Sequence, residues 1–216
     1  MTSLNNVDSE QATVFVVDDD DGIRQTISLM LRSLKVRVKT YSNAREFLDF
    51  YTPDLPGCLL LDMRMPGITG FQLQTELNEL GVQLPIIFVS AHGEIPSAAA
   101  AMRAGALDFI PKPFSPQYLL ERIHEALAVD AKRRSAAAMR QQIQRRLDLL
   151  TDRECEVMQR LAQGMSTKVI AARLGISSKT VDNHRAKILE KMEVDNTTQL
   201  AVLYSNLQPS ESRGDV

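Results

Sequence analysis

Five short runs of apolar or β-branched residues alternate with helical patterns over the first 125 residues, and this alternation limits the possible folds more than any other feature. The runs read TVFVV, VRVKT, CLLLD, PIIFVS and LDFI, and turn residues bound each of them. The helical patterns between and after them cover 22–34, 44–51, 69–80, 96–104 and the residues from 116 onward. Strands that alternate with helices predict a doubly wound α/β fold, in which helices cover both faces of a five-stranded parallel sheet. The uninterrupted apolar runs CLLL and IIFV are typical of central strands.

The chain changes character after residue 150, where helical patterns continue without strands. They cover 151–163, 167–174, 178–192 and 196–207. The sequence TDRE is a capping box, in which Thr151 caps a helix and Glu154 occupies its third position. Gly164 and Gly175 stand where helix-ending glycines are expected. We therefore predict a second, all-α domain of four short helices.

The segment between the two patterns contains neither Gly nor Pro from residue 117 to residue 163. It carries two apolar stripes with helical spacing, namely Leu120, Ile123 and Leu127, then Met139, Ile143 and Leu147. We predict one long helix that runs from about residue 116 to about residue 149 and links the domains. The alternative is a break near Asp130, because DAKRRSAAA offers little to bury.

Charge is distributed unevenly along a chain of ordinary globular composition, with 44% hydrophobic residues and 24% charged residues. Residues 1–129 contain 16 acids and 10 bases, residues 130–147 contain 1 acid and 6 bases, and residues 148–216 contain 10 acids and 9 bases. The acidic first part suggests a cation site, and the basic middle part suggests contact with an anion.

Two other features bear on the cellular setting. Cys58 and Cys155 have no CxxC or histidine-rich neighbourhood, which predicts two reduced thiols that pack as small apolar groups. The N-terminus lacks a basic-then-apolar pattern, and no apolar run approaches the roughly 20 residues that a membrane helix needs. We therefore expect a cytoplasmic protein with no membrane partner.

Polar and charged side chains stand at the ends of four predicted strands. Asp18 begins an acidic run after the first strand, Asp62 ends the third, Ser90 ends the fourth, and Lys112 follows the fifth. Because ligands of open parallel sheets gather at the carboxyl ends of strands, we expect these groups to meet. Clustered carboxylates suit Mg²⁺, and one of them could act as a nucleophile that forms an acyl phosphate.

The motifs VFVVDDDDGIR, LLLDMRMPGITG, FVSAHG and DFIPKPF, in this order, resemble the receiver domain of bacterial two-component response regulators over 12–128. The resemblance implies a flavodoxin-like sheet, Mg²⁺ as cofactor and a sensor histidine kinase as partner. It also implies the following roles: Asp62 as the phosphorylated aspartate, Asp19 as a direct metal ligand, Asp18 as a ligand acting mainly through water, Arg64 as a ligand through its backbone carbonyl, Ser90 as the switch hydroxyl, Phe109 as the switch aromatic residue, and Lys112 as the lysine of the site.

The resemblance carries three further expectations. Asp20 and Asp21 map to positions without a fixed role, so we expect them to open a solvated helix, where acids are favourable. Phe109 cannot donate a hydrogen bond, so its switching would depend on burial alone. The Lys112–Pro113 peptide is expected to be cis, which an X–Pro bond tolerates.

The sequence from 149 to about 207 resembles the helix-turn-helix domain of the LuxR/FixJ type, with a short helix over 167–174, a turn at Gly175 and a longer helix from 178. In such a unit the second helix lies in the major groove. Its geometry implies base contacts by Asp182, Asn183 and Ala186, and phosphate contacts by Lys168, Lys179, Thr180, His184, Arg185 and Lys187. The near-neutral charge of this region is unusual for a DNA-binding module.

Together these resemblances predict a transcription factor that is phosphorylated on Asp62, dimerises and binds double-stranded promoter DNA, with RNA polymerase as a further partner it could contact. Two alternatives remain at this point. The chain could be a phosphotransferase or phosphatase, or a constitutive DNA-binding regulator whose receiver serves only for dimerisation. The domains predicted are a receiver over 12–128, a helical linker over 129–148 and a DNA-binding domain over 149–208, with disordered tails at 1–11 and 209–216.

Overall fold

The computed structural model describes residues 12–52, 55–91 and 95–205. The tails predicted at 1–11 and 209–216 lie outside these ranges, as does the end of the helix predicted over 196–207. The chain forms two compact units that divide between Arg134 and Ser135. Among the described helices, none is long and apolar enough to cross a membrane.

The first unit is the predicted five-stranded sheet. Its strands are β1 (Thr13–Val17), β2 (Arg37–Tyr41), β3 (Gly57–Leu61), β4 (Ile86–Ser90) and β5 (Asp108–Pro111). All neighbouring strands run parallel, in the order β2-β1-β3-β4-β5. The helices are α1 (Asp21–Ser33), α2 (Ala44–Phe50), α3 (Gly70–Glu79), α4 (Ile95–Arg103) and α5 (Pro116–Leu147). The fold class predicted from the alternating pattern is therefore confirmed.

Helices cover both faces of this sheet. Successive strand residues point to opposite sides of the sheet, so they belong to two separate core clusters. Phe15, Leu59 and Phe88 belong to a core cluster that also contains residues of α2, α3 and α4. Val14, Leu60 and Ile87 belong to a second cluster that contains residues of α1 and α5. This arrangement leaves the carboxyl ends of β1, β3, β4 and β5 side by side, where a site can form.

The helix α5 runs unbroken through the position at which a break was the alternative. Asp130 is buried, and its Oδ2 accepts hydrogen bonds from the backbone N–H of Gly57 and from Nε of Arg134, both at 2.8 Å. Nη2 of Arg134 also donates to the carbonyl of Leu55 at 2.6 Å. The polar stretch DAKRR thus holds α5 to the start of β3, which explains why the helix does not end there.

The second unit is the predicted helical domain. The last turns of α5 are joined by α6 (Asp152–Ala162), α7 (Thr167–Leu174), α8 (Ser178–Lys191) and α9 (Thr197–Ser205). Thr151 and Glu154 form the expected capping box, and Gly175 ends α7 in the left-handed conformation at φ 65°. Both cysteines are free thiols, as predicted.

The core of the second unit includes Ile143, which is 1% exposed, although this residue lies in the segment predicted as a linker. Arg146 of the same helix donates to the carbonyl of Met192 at 3.1 Å and pairs with Glu193. The end of α5 is therefore part of the helical domain rather than a spacer before it.

This packing predicts that Ile143→Ala in the full chain destabilises the second unit by about 2–5 kcal/mol, because it removes buried methyl groups. Met139→Ala is the control, since Met139 lies one turn earlier on the same helix and is 55% exposed. Hydrogen exchange of peptides from α6 to α9 measures this unit alone. Equal protection in the two variants would contradict the assignment.

Candidate functional site

A half-buried lysine is hydrogen-bonded to two buried carboxylates at the carboxyl edge of the sheet. Nζ of Lys112, after β5, lies 2.6 Å from Oδ2 of Asp18 and 2.9 Å from Oδ1 of Asp62. Asp18 follows β1 and is 2% exposed, and Asp62 follows β3 and is 6% exposed. Ser90, at the end of β4, is also buried, and its carbonyl accepts the backbone N–H of Lys112 at 2.8 Å. The four strand-end residues named from the sequence therefore lie at one edge.

The turn after β1 is held by its own side chains and backbone. Oδ1 of Asp18 accepts the N–H of Asp20 at 3.0 Å, and Nη1 of Arg24 donates to the carbonyl of Asp18 at 2.7 Å. Arg24 also pairs with Asp21 at 2.9 Å. Arg24 was not among the predicted site residues, although its place in the first turns of α1, just after the acidic run, was a usable signal.

The last two aspartates of the run, Asp20 and Asp21, have the roles expected of them. Asp20 caps α1, because its Oδ1 accepts the N–H groups of Gly22 at 2.8 Å and Ile23 at 3.2 Å. Asp21 is the acidic residue of the first turn. Both are exposed, and Asp19 is exposed as well. Lys112 pairs with Asp18 and Asp62 rather than with Asp19.

Asp62 is fixed by the backbone on both sides. Its N–H donates to the carbonyl of Val17 at 2.8 Å, and its Oδ2 accepts the N–H of Arg64 at 2.8 Å. Gly70, at the start of α3, lies against it, since a Cβ added to Gly70 would stand 2.1 Å from the carbonyl oxygen of Asp62. Glycine is therefore required at this position for the loop from 62 to 70 to close as it does.

The electrostatics of the site keep Lys112 charged. Burial by itself would lower the pKa of Lys112, but its bonds to Asp18 and Asp62 outweigh that effect and raise the pKa. Burial raises the pKa of Asp18, and the bond to Lys112 opposes this shift. One cation thus faces two buried carboxylates, which leaves the group short of positive charge.

The oxygen donors of this edge fit Mg²⁺ in chemical type. No three His, Cys, Asp or Glu residues are arranged as a metal-binding group within the part of the chain that the structure describes. Mg²⁺ does not need such a group, because it is usually held by one or two carboxylates and keeps several waters. Asp18 and Asp62 supply two carboxylates beside the backbone of Arg64.

Phe109 lies on β5 close to this edge, half-buried. Its ring stacks on that of Phe88, with centroids 6.3 Å apart, and it packs against the core cluster that contains Ala101 of α4. The Lys112–Pro113 peptide is cis, as expected.

A second candidate surface is formed by α7 and α8 in the helical unit. The side chains of Val181 and Ile188 are buried in its core, which fixes the opposite face of α8 outward. The residues expected to contact nucleic acid are exposed or half-buried there: Lys168, Lys179, Thr180, Asp182, Asn183, His184, Arg185, Ala186 and Lys187.

Two of these residues also have partners within the protein. Oδ1 of Asp182 accepts from the hydroxyl of Thr167 at 3.4 Å, which ties α8 to the start of α7. The hydroxyl of Thr180 lies 2.8 Å from that of Ser177, the cap of α8. The far end of α8 is held by Lys191, whose Nζ bonds Glu154 at 2.7 Å and thereby lowers the pKa of that buried carboxyl to about 2.

The basic stretch of 130–147 is less available to an anion than its sequence suggested. Arg133 donates to the carbonyl of Gln83 at 2.9 Å, Arg134 holds Asp130, and Arg146 pairs with Glu193. Three of its six bases are therefore engaged within the protein, which the count of charges could not reveal.

Comparisons with known proteins agree with this architecture. Residues 14–124 match the family model "Response regulator receiver domain", and residues 148–204 match "Bacterial regulatory proteins, luxR family". The transcriptional regulatory protein TdiR of Thauera aromatica is 41% identical over 192 residues, which cover 88% of this chain and 83% of TdiR. The structure of the response regulator StyR is similar with a TM-score of 0.84 and 42% identity, covering 90% of this chain and 98% of StyR. Full-length FixJ from B. japonicum is similar with a TM-score of 0.56 and 32% identity, covering 91% and 97%.

The contact of Gly70 with Asp62 predicts that Gly70→Ala displaces the loop that carries Asp62 and destabilises the first unit by about 1–3 kcal/mol, because the added methyl meets backbone. Glu79→Ala, at an exposed position of the same helix, is the control. Urea unfolding gives the stability, and amide chemical shifts of residues 62–65 report the loop. Unchanged shifts in Gly70→Ala would refute the steric role of this glycine.

Proposed function

This chain belongs to the two-component response regulators that join a receiver domain to a LuxR-type DNA-binding domain, and on that basis we propose that it is a transcription factor controlled by phosphorylation of Asp62. The observation that carries the proposal is the ion-paired group of Asp62, Asp18 and Lys112, in which both carboxylates are buried and lie within 2.9 Å of Nζ of Lys112. A sensor histidine kinase is the proposed phosphodonor partner.

In the proposed transfer, an oxygen of Asp62 attacks the phosphorus of a phosphohistidine on the kinase. The new O–P bond forms an acyl phosphate as the P–N bond breaks, and the leaving imidazole nitrogen takes up a proton. Lys112 is close enough to Asp62 to stabilise charge on the incoming phosphoryl oxygens, and Ser90 stands at the neighbouring strand end as a hydroxyl donor.

Mg²⁺ would be held by Asp18, Asp19, Asp62 and the backbone carbonyl of Arg64. Its chemistry is to neutralise charge that builds up on the phosphoryl group. The exposed carboxylate of Asp19 and the buried carboxylates of Asp18 and Asp62 are the protein's contribution to this site. The receiver would catalyse its own phosphorylation and dephosphorylation only, without turning over a separate substrate.

Phosphorylation would shift the receiver between two conformations rather than create a new fold. The acyl phosphate would draw Ser90 and Lys112 toward it, and Phe109 would move further inward against Phe88. The face formed around α4 and β5 would change, and the phosphorylated chain would dimerise.

The dimer would place two copies of α8 on promoter DNA about one helical turn apart. Asn183 and Ala186 are exposed and suited to base contacts, and Lys168, Lys179 and Lys187 are exposed and suited to phosphates. The carboxylate of Asp182 accepts the hydrogen bond from Thr167, so a base contact by Asp182 would compete with that bond. Contact of the bound dimer with RNA polymerase belongs to the same proposal.

The direct test is Asp62→Asn, with acetyl phosphate and Mg²⁺ as phosphodonor and cofactor. Wild type should shift toward dimer in sedimentation and bind more tightly to duplexes that the phosphorylated chain selects from a random pool. Asp62→Asn should lose both responses, because an amide is not a nucleophile for this transfer. Asp21→Asn is the control, since Asp21 is an exposed acid of α1 and should respond as wild type does.

Each contrary outcome points to a named alternative. Full DNA affinity of wild type without phosphodonor, unchanged in Asp62→Asn, would identify a constitutive DNA-binding regulator. Steady hydrolysis of a soluble phosphate ester by wild type would identify an enzyme.

A further inference from the structure

The helix α4 has little apolar packing to fix its position. Its sequence is IPSAAAAMR, and Ala101 is its one buried residue. The larger side chains of Ile95 and Met102 are exposed. Methyl groups of alanine contribute small buried areas, so the hydrophobic effect holds α4 less firmly than it holds α3, whose Leu73 and Leu77 are fully in the core.

Two amide side chains of α3 bind the carbonyl end of this helix. Nε2 of Gln74 donates to the carbonyl of Ala101 at 3.1 Å, and Nδ2 of Asn78 donates to the carbonyl of Ala104 at 2.9 Å. Gln74 and Asn78 are four residues apart and therefore share a face of α3. The carbonyl of Ala101 also accepts the backbone N–H of Ala106 at 3.0 Å, so the amide of Gln74 adds a second hydrogen bond to that oxygen and ties it to α3.

Burial of the amide of Gln74 carries a free-energy cost. It is 1% exposed, and its Oε1 is buried without a hydrogen-bond partner among the described residues. Because the Ala101 carbonyl can only accept, the amide must present Nε2 to it. A shift of α4 would remove that bond too and leave a second buried amide atom unsatisfied. The Nε2 bond therefore favours the observed placement of α4.

We propose that Gln74 and Asn78 are positioning residues, an amide clasp that holds α4 in the unphosphorylated placement and sets how readily the receiver changes conformation. The inference rests on the proposed function, because it concerns the same switch. α4 lies between β4, which ends at Ser90, and β5, which carries Phe109. Phe109 packs on the core cluster that includes Ala101, so movement of its ring would change the packing around the turn of α4 that the clasp holds.

The test uses the full chain with beryllofluoride and Mg²⁺ as the mimic of the phosphoryl group, titrated by fluorine NMR. Gln74→Met keeps the length of the side chain but has no donor, so it removes the bond that a shift of α4 must break. We expect beryllofluoride affinity to rise about tenfold, a change of about 1.4 kcal/mol at 25 °C. Stability should not fall, because the orphaned Oε1 is removed as well.

Asn78→Ala tests the clasp independently, since Asn78 is exposed and its loss does not disturb the core. It should raise the affinity in the same direction by about two- to fivefold, as the loss of a single exposed hydrogen bond. Hydrogen exchange of α4 should quicken in both variants, with exchange in β1 and α1 unchanged.

Ile27→Val is the matched control, because Ile27 belongs to the core cluster on the opposite face of the sheet and makes no part of the clasp. It lowers stability without freeing α4, so its beryllofluoride affinity should equal that of wild type. A purely structural role for Gln74 would instead lower stability in Gln74→Met and leave the affinity unchanged.

The clasp is overturned if neither amide variant binds beryllofluoride more tightly, or if Ile27→Val gains as much affinity as they do. These failures differ from failure of the proposed function. A wild-type chain that does not bind beryllofluoride at all would remove the phosphoacceptor proposal, whereas a wild type that binds it, with variants that bind equally, would remove the clasp alone.

Discussion

The rest of the receiver's site depends on one interaction, in which the half-buried ammonium group of Lys112 bridges the buried carboxylates of Asp18 and Asp62. Buried carboxylates are costly unless they are paired and hydrogen-bonded, and one lysine here serves two of them at 2.6 and 2.9 Å. The three residues come from the ends of β1, β3 and β5, so the group exists only in the assembled sheet. Because one positive charge faces two negative charges, the same group that completes the fold leaves a site that favours an additional cation.

The surrounding contacts hold each member of this group in place. Arg24 fixes the carbonyl of Asp18, and Gly70 allows α3 to start directly against the carbonyl of Asp62. The amide clasp of Gln74 and Asn78 holds α4 by polar bonds where apolar packing is slight. Several contacts therefore hold the carboxylates of the site, while the two side-chain hydrogen bonds of the clasp hold α4, the element expected to move.

Much of this could be predicted from the sequence, because strand ends in a parallel sheet meet at one edge. That rule predicted that Asp18, Asp62, Ser90 and Lys112 lie close together. The helical spacing of apolar residues and the lack of Gly and Pro predicted that α5 is continuous. The role of Asp130 could not be predicted, because it depends on the backbone N–H of Gly57, far away in the chain. DAKRR looked like a solvated stretch, and only the tertiary structure reveals a buried carboxylate there.

The same limit applies to Gln74. An amide within a helix pattern carries no sign of its partner, and the acceptor of Gln74 is a backbone carbonyl on a different helix. The boundary of the helical domain was also hidden, because Ile143 continues the apolar period of α5 while its side chain packs into the second unit. A local sequence pattern does not show which backbone group or which core, distant in the chain, a side chain will contact.

The unfolding free energy of Lys112→Met, measured in urea with and without Mg²⁺, tests the charge balance of the site most directly. We expect a loss of about 3–5 kcal/mol without metal, because two buried carboxylates lose their shared cation. We also expect Mg²⁺ to stabilise Lys112→Met more than it stabilises wild type, since the ion meets no competing ammonium. Stability of Lys112→Met that equals that of wild type, or that does not respond to Mg²⁺, would contradict the account.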